Sequence, residues 1–179
     1  MRALIVYESM YGNTHAIAEA IARGLQPGNE VTMVPVAGAT PELVDGADLV
    51  VAGGPTHVHG MSKAATRKSA ADQARKHGGR PALDADAEGP GMRDWFGSLG
   101  RTSAMAAAFD TRLAGPAAFT GRAAKGIAKL LERHGFTLIA EAESFLVTGD
   151  NNLRPGEEDR ARKWGETLAA KVPAAQVRP

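Results

Sequence analysis

Short apolar runs alternate with stretches of helical periodicity along most of the chain. Five runs, several of them rich in β-branched residues, predict strands at residues 3–7, 31–36, 48–52, 103–109 and 136–147, the last of them interrupted. Strands that are apolar throughout are typical of a parallel sheet with helices on both faces. Pro35, near the end of the second run, predicts an edge strand, because proline cannot donate to a sheet ladder.

Helices are predicted between these strands. The clearest is residues 14–25, where Ile17, Ile21 and Leu25 recur at helical spacing. Further helices are predicted at residues 41–44, 62–76, 92–99, 118–134 and 157–171. This alternation predicts an α/β fold, a doubly wound five-stranded parallel sheet in the order 2-1-3-4-5. Ligand-binding loops are then expected after the first, third and fourth strands.

The chain has no repeat or linker that would divide it, so residues 1–172 are expected to form a single domain. Residues 78–102 contain several glycines and prolines and are predicted to be an insertion whose secondary structure the pattern does not define. Trp95 and Phe96 lie in it, either as a lid over a site or as anchors to the core. We favour anchors, because large aromatic side chains are usually buried. Residues 173–179 are predicted to form a flexible tail.

The composition excludes several classes of function. The chain has 21 basic and 20 acidic residues, a net charge of +1 that argues against nucleic-acid binding. No apolar run approaches the ~20 residues of a membrane helix, so no membrane insertion is expected. The absence of cysteine excludes disulfides and thiolate metal sites and is consistent with a cytoplasmic location. The apolar stretch at residues 3–7 is followed by no cleavage pattern and is interpreted as a strand, not a signal peptide.

The loop after the first strand has the features of an anion site. It leads from a buried strand into a helix, whose first N–H groups and positive dipole end favour a phosphate. Ser9, Asn13 and Thr14 add side-chain donors, and Gly12 allows a tight turn. The loop lacks the lysine of nucleotide triphosphatases, which argues against ATP chemistry. The simpler alternative is an ordinary turn in which Asn13 or Thr14 caps the helix.

Residues 5–14, Ile-Val-Tyr-Glu-Ser-Met-Tyr-Gly-Asn-Thr, resemble the loop of flavodoxins that binds the phosphate of flavin mononucleotide (FMN). Residues 53–56 resemble the next flavodoxin loop, beside the isoalloxazine ring. Residues 55–61 are also similar to the ring-binding loop of flavodoxin-like NAD(P)H:quinone oxidoreductases, and residues 110–112 stand where the family has its third loop. The resemblance implies that FMN is bound by Ser9, Met10, Tyr11, Gly12, Asn13, Thr14, Pro55, Thr56, His57, Val58, His59, Gly60, Met61, Asp110, Thr111 and Arg112.

The chain also departs from the family it resembles. Typical short-chain flavodoxins are strongly acidic and place aromatic side chains against the flavin, and neither holds here. Loss of two aromatic contacts at ~0.5–1.5 kcal/mol each predicts weaker FMN binding. His57 and His59 could contact the flavin or simply line the loop, and two histidines without a third ligand are weak evidence for zinc. Arg112 could approach the flavin or pair with an acid such as Glu141.

Three functions are consistent with these features. The first is an FMN-binding electron carrier that serves a redox partner protein. The second is an FMN-dependent NAD(P)H:quinone oxidoreductase, which would use NAD(P)H and a small acceptor. The third is a flavodoxin-fold interaction module without flavin. In the first two the cofactor supplies the chemistry, so no catalytic residue is assigned, and the oligomeric state is left open.

Overall fold

The computed structural model describes residues 1–57 and 59–173, which form a twisted sheet with helices on both faces. The strands are β1 (Arg2–Tyr7), β2 (Glu30–Pro35), β3 (Leu49–His57), β4 (Gly60–Met61), β5 (Met105–Leu113), β6 (Thr137–Leu138) and β7 (Glu143–Val147). The helices are α1 (Asn13–Leu25), α2 (Pro41–Asp45), α3 (Ala64–Lys76), α4 (Met92–Ser98), α5 (Ala117–Thr120), α6 (Ala123–Arg133) and α7 (Glu157–Lys171).

The sheet order confirms the predicted topology. It runs β2-β1-β3-β5-β6, and β7 also pairs with β5, so β6 and β7 are two halves of an interrupted fifth strand. These pairs are all parallel, whereas the short β4 turns back antiparallel on the end of β3. Pro35 ends β2, which lies at the sheet edge as predicted.

Each face of the sheet has its own apolar core. Alternate side chains of β1 divide between them, with Ile5 packing towards α1 and α7, and Leu4 towards α4 and α6. Contact between α1 and α7 is close because each helix presents a glycine. A Cβ atom on Gly24 would lie 2.0 Å from the carbonyl oxygen of Arg162, and one on Gly165 would lie 2.4 Å from that of Ile21.

Two strands are longer than the sequence predicted. The third strand was expected to end at residue 52 and the fourth at residue 109, but β3 continues to His57 and β5 to Leu113. The ladder between them extends to the pair Pro55–Thr111, so residues 55–57 and 110–112 belong to strands and not to loops. The prediction of loops there was wrong because Gly53-Gly54-Pro55 suggests a strand end when the pairing partner is unknown.

The prediction of a single helix at residues 118–134 was also wrong. The segment forms two helices, α5 and α6, separated by Gly121 with φ of +77°. Gly121 makes a β-bridge with His59, and a Cβ on it would lie 2.2 Å from the Cα of His59. This close approach to the β3–β4 hairpin interrupts the helix.

The insertion packs onto the body of the protein. Trp95 and Phe96 of α4 are only 3% and 4% exposed and belong to the core that also contains Val36. The interpretation as anchors is therefore confirmed, and that as a lid is wrong. Within the described residues, no helix combines the length and apolarity needed to cross a membrane. The structure describes Pro173 of the predicted tail at residues 173–179, whereas residues 174–179 and Val58 lie outside the described residues.

Candidate functional site

A cleft of about 230 Å³ opens at the carboxyl edge of the sheet, between the ends of β1, β3 and β5. This is slightly below the usual range for drug-sized ligands, so a nucleotide would lie partly outside it. The structure brings nine predicted site residues together in its lining: Met10, Tyr11, Asn13, Thr14, Pro55, Thr56, His57, Thr111 and Arg112. The sequence prediction missed five others, which are Leu113, Val147, Thr148, Gly149 and Asn151.

The residues that were missed come mostly from the loop after β7. A signal for them was present in the sequence, because residues 148–152 are a polar run with glycine and asparagine that directly follows an apolar strand. All strands of a parallel sheet bring their carboxyl ends to one edge, so the loop after the fifth strand also belonged among the candidates.

The first turn of α1 has the geometry of an anion cradle. Gly12 lies just before the helix with φ of +85° and lacks a Cβ that would resist this conformation. Its N–H donates to Ser9 Oγ at 3.2 Å, which closes the loop. In the described part of the chain, the N–H groups of Asn13, Thr14 and His15 have no acceptor. Three first-turn amides at the positive end of a helix therefore remain for a ligand.

Side chains of the cradle connect it to neighbouring elements. Thr14 and Thr111 share a hydrogen bond of 2.7 Å between their buried hydroxyl groups. Two hydroxyls have two protons and use one between them, so the pair retains one donor for a ligand. Asn13 Nδ2 donates to the carbonyl oxygen of Asn151 at 2.9 Å. Asn13 therefore holds the loop after β7 against the cradle in this structure.

Asp110 does not line the cleft but fixes the residues that do. Its Oδ2 accepts a hydrogen bond from Thr56 Oγ1 at 3.1 Å and one from the N–H of Ala124 at 2.7 Å. Thr56 Oγ1 in turn accepts from the N–H of Ala123 at 2.9 Å. The side chains of Asp110 and Thr56 thus cap the start of α6. Burial raises the pKa of Asp110 above its ordinary value, and these hydrogen bonds and Arg122 oppose the rise.

Of the predicted site residues in the β3–β4 hairpin, some line the cleft and others do not. His57 lines the cleft, and burial lowers its pKa, an effect that Arg67 supports and Glu8 opposes. His59 is exposed at the turn with φ of +71°, where it pairs with Gly121. After Gly60, Met61 packs towards α6, so residues 59–61 are not part of the cleft lining as described.

A buried polar network lies behind the cleft. Ser62 Oγ donates to Glu8 Oε1 and accepts from Arg67 Nη1 at 2.9 Å, and Arg67 also pairs with Asp94 at 2.9 Å. The N–H of Met92 donates to Glu8 Oε2 at 2.8 Å. This network attaches α3 and the insertion to the end of β1.

The insertion also contacts the cradle loop through Asp84. The N–H of Asp84 donates to the carbonyl oxygen of Met10 at 2.9 Å, and its Oδ2 lies 3.3 Å from His15 Nδ1. The other ring nitrogen of His15 lies 3.2 Å from the hydroxyl of Tyr7. Burial raises the pKa of Tyr7, and Asp84 adds to the rise. The segment that had no assigned role in the sequence thus supports the outside of the cradle.

Arg112 pairs with neither Glu141 nor another acid within the described residues. Its Nη1 donates to the carbonyl oxygen of Gly115 at 2.9 Å and to Thr120 Oγ1 at 2.8 Å. The guanidinium therefore organises the loop after β5. No group of three or more His, Cys, Asp or Glu residues suited to a metal ion occurs in residues 1–57 and 59–173.

Comparison with known proteins agrees with this fold. The family profile described as Flavodoxin matches residues 5–164, and the chain belongs to the flavodoxin family. Membership of this family makes the chain a flavodoxin-like flavin redox protein and implies a flavin cofactor.

Solved structures share the fold at low sequence identity. A flavodoxin from the domain Archaea is 19% identical, with a TM-score of 0.66, 97% of this chain covered and 100% of that one. Flavodoxin 1 from Bacillus cereus is 17% identical, with a TM-score of 0.63 and coverage of 96% and 97%. A WrbA-like flavodoxin from Agrobacterium tumefaciens is 20% identical, with a TM-score of 0.60 and 96% of each chain covered.

Proposed function

We propose that the protein binds FMN in the cleft and carries electrons to a redox partner protein. The observation that carries the proposal is the cradle: the amides of Asn13, Thr14 and His15 have no acceptor within the described residues, and they lie beside the Thr14–Thr111 pair. They stand at the switch between β1 and β3, where sheets of this topology bind ligands.

The cradle suits a phosphate ester without the help of a lysine. N–H groups at a helix start and a hydroxyl form charge-assisted hydrogen bonds with a dianion, which are roughly twice as strong as neutral ones. The helix dipole adds a favourable contribution. Arg112 also lines the cleft, but its Nη1 is used by Gly115 and Thr120. Backbone and hydroxyl donors therefore form the cradle, and Arg112 Nε, which is buried and has no hydrogen-bond partner within the described residues, is a further donor in the cleft lining.

The ring of FMN would lie along residues 55–57, with Leu113 and Met10 nearby in the lining. When bound, FMN supplies reversible acceptance of one or two electrons. Because burial lowers the pKa of His57, its imidazole is neutral at pH 7 and offers one donor and one acceptor. Tyr11 is the aromatic residue of the lining, and its hydroxyl donates to the carbonyl oxygen of Ala70 at 3.3 Å. A flavin held with so few aromatic contacts is expected to dissociate readily.

Titration with FMN and with riboflavin, followed by quenching of flavin fluorescence, tests the proposal. The two ligands share a ring and differ in the phosphate, so FMN should bind at least 100-fold more tightly if the cradle holds the phosphate. Equal affinities would contradict the assignment of the cradle. Failure of FMN to bind at millimolar concentration would leave the third alternative, a flavodoxin-fold interaction module without flavin.

The second candidate, an NAD(P)H:quinone oxidoreductase, is favoured by the sequence of residues 55–61, which resembles the ring-binding loop of those enzymes. It predicts steady oxidation of NADPH by the FMN-loaded protein when a benzoquinone is present. The carrier predicts no turnover until a separate reductase is added. Absorbance at the nicotinamide band, with and without the reductase, distinguishes the two functions.

A further inference from the structure

Arg112 is the single charged residue in the described lining of the cleft. Among the described residues, no carboxylate lines the cleft. The one other titratable cation of the lining is His57, and burial lowers its pKa, which keeps the imidazole uncharged at pH 7. Because a guanidinium is always protonated in proteins, the wall of the cleft has one permanent positive charge.

Neutral groups hold this guanidinium in place. Arg112 Nη1 donates to the carbonyl oxygen of Gly115 at 2.9 Å and to Thr120 Oγ1 at 2.8 Å. In the part of the chain that the structure describes, Arg112 makes no ion pair, and its Nε is buried without a hydrogen-bond partner. No acid in contact with the side chain therefore cancels its charge, and an anion in the cleft would experience the field of that charge.

The acids that stand near the cleft are balanced or screened by other groups. Arg122 acts on the buried carboxyl group of Asp110. Behind the cleft, Glu8 and Arg67 share one hydroxyl group as hydrogen-bond partner. Asp150 is exposed, and salt screens an exposed carboxylate more than a partly buried group. The uncompensated charge at the cleft is therefore positive.

Arg112 and the cradle lie on opposite sides of β5. Successive side chains of a strand face opposite sides of the sheet. Thr111 contacts Thr14 of the cradle, and Arg112, one position further along the strand, contacts Thr120 next to α6. Thr56 also faces α6, because its Oγ1 accepts from the first N–H of that helix, and it lines the cleft where the ring would lie. The charge of Arg112 therefore stands nearer to the ring than to the phosphate.

Reduction changes the charge of a flavin ring and leaves its phosphate unchanged. The oxidised ring is uncharged. Two electrons and one proton convert it to an anionic reduced ring, with hydrogen on N5 and negative charge shared between N1 and the C2 carbonyl oxygen. A positive charge near the ring consequently favours the reduced form over the oxidised one, whereas a positive charge at the phosphate binds both forms equally.

We propose that Arg112 determines which oxidation state of FMN the cleft favours, and that its charge stabilises the anionic reduced flavin. The inference rests on the proposed function, because it requires FMN in the cleft. Even at about 12 Å and an effective dielectric constant of about 20, one charge changes such an equilibrium about tenfold. Arg112 thus raises the potential at which the bound flavin accepts two electrons.

The test measures the two-electron potential of FMN bound to the wild-type protein and to Arg112→Gln at pH 8. Xanthine, which xanthine oxidase oxidises to urate, supplies the electrons through methyl viologen, and a reference dye reports the potential. Arg112→Gln should weaken binding of reduced FMN about tenfold relative to oxidised FMN, which lowers the two-electron potential by about 30 mV. Arg112→Lys keeps the charge and should remain closer to the wild-type potential than to that of Arg112→Gln.

A second variant tests the charge without removing the contacts of Arg112. Leu113 lines the cleft and is 52% exposed, so Leu113→Glu adds a compensating carboxylate at a position that tolerates it. This variant should also lower the potential. Two controls should keep the wild-type potential: Thr120→Val removes a contact of the guanidinium but no charge, and Lys163→Gln removes an exposed charge on α7.

The outcomes separate this inference from the proposed function. A wild-type potential in Arg112→Gln or in Leu113→Glu would overturn the inference. So would an equal loss of affinity for oxidised and reduced FMN in Arg112→Gln, which would assign Arg112 to the phosphate, or a drop in Thr120→Val as large as that in Arg112→Gln. In each of these cases FMN still binds and the proposed function stands. Failure of the wild-type protein to bind FMN would overturn both.

Discussion

The hydroxyl oxygens of Thr14 and Thr111 lie 2.7 Å apart and join the first turn of α1 to β5 across 97 positions of sequence. Both side chains are buried, and the pair retains one proton for a ligand. We expect Thr14→Val/Thr111→Val to weaken FMN binding roughly 10- to 100-fold, because a hydrogen bond to a charged group is worth about 1.5–3 kcal/mol. Fluorescence titration measures this loss.

Measurement of the free energy of unfolding distinguishes this loss of FMN affinity from loss of the fold. Replacing both partners with groups of the same shape is expected to change the free energy of unfolding by less than about 1 kcal/mol. Thr14→Val alone leaves the Thr111 hydroxyl without its partner and should destabilise more, by about 1–3 kcal/mol. Urea denaturation of the three proteins compares them. Undiminished FMN affinity in the double variant would argue against a role for the pair in phosphate binding.

His57 should make stability depend on pH. Because burial lowers its pKa in the folded protein, the unfolded chain binds more protons as the pH falls below the ordinary histidine value of about 6.5. The free energy of unfolding should therefore decrease as the pH falls from about 6.5 through the lowered pKa. His57→Gln is expected to flatten this part of the profile. Urea titrations of both proteins from pH 5 to 8 measure it, and an equally steep profile in His57→Gln would contradict the prediction.

Asp110 should tolerate loss of its charge better than loss of its acceptor. Burial opposes ionisation, whereas the N–H of Ala124 and the hydroxyl of Thr56 both donate to Oδ2. Asp110→Asn keeps an acceptor and should shift the free energy of unfolding by less than about 1 kcal/mol, while Asp110→Ala should lower it by about 1–3 kcal/mol. Thermal and urea unfolding at pH 7 provide the comparison. A larger loss in the amide variant would show that the charge itself is needed.

The pH dependence of Asp110 has the opposite sign to that of His57. Since its pKa is raised on folding, its contribution to stability decreases as the pH rises from the ordinary aspartate value of about 3.9 through the raised value. The stability of the wild-type protein relative to Asp110→Asn should therefore improve as the pH is lowered towards 4. If the difference in free energy of unfolding between the two proteins stayed constant as the pH was lowered, this prediction would be contradicted.

Gly165 is expected to be intolerant of even a methyl group. A Cβ there would lie 2.4 Å from the carbonyl oxygen of Ile21, a backbone atom that cannot move aside without shifting α1. Gly165→Ala should destabilise the protein by about 1–3 kcal/mol despite the better helix propensity of alanine. Gly126→Ala is the control, since its Cβ would lie 3.1 Å from the end of the flexible Met61 side chain. Differential scanning calorimetry should show a larger drop in Tm for Gly165→Ala than for Gly126→Ala.

Local periodicity was sufficient to predict most of the fold. The apolar spacing of Ile17, Ile21 and Leu25 predicted α1 to within one residue, and the acidic first turn of α7 marked a helix whose bounds matched. The sheet order followed from alternation and from the usual topology of such sheets. These features depend on residues close together in sequence or on a general packing rule, so a pattern can reveal them.

The errors arose where distant segments determine the local structure. Gly121 interrupts a helical pattern because the hairpin at His59 approaches it. Asp110 faces α6 because β5 continues its ladder with β3, where Asp110 pairs with Gly54. The cradle itself was predicted from its own residues. Its connection to Thr111 and Asn151 was not, because hydrogen bonds between distant segments leave no periodic signal.

Contact between Gly24 of α1 and α7 also bears on biosynthesis. The helix whose first turn forms the cradle has one flank covered by residues 157–171, which are translated long after it. A nascent chain on the ribosome has that flank exposed until α7 has been made. On the proposed function, capture of FMN should consequently follow the synthesis of α7, and the flavin would act on a chain in which α1 is already packed.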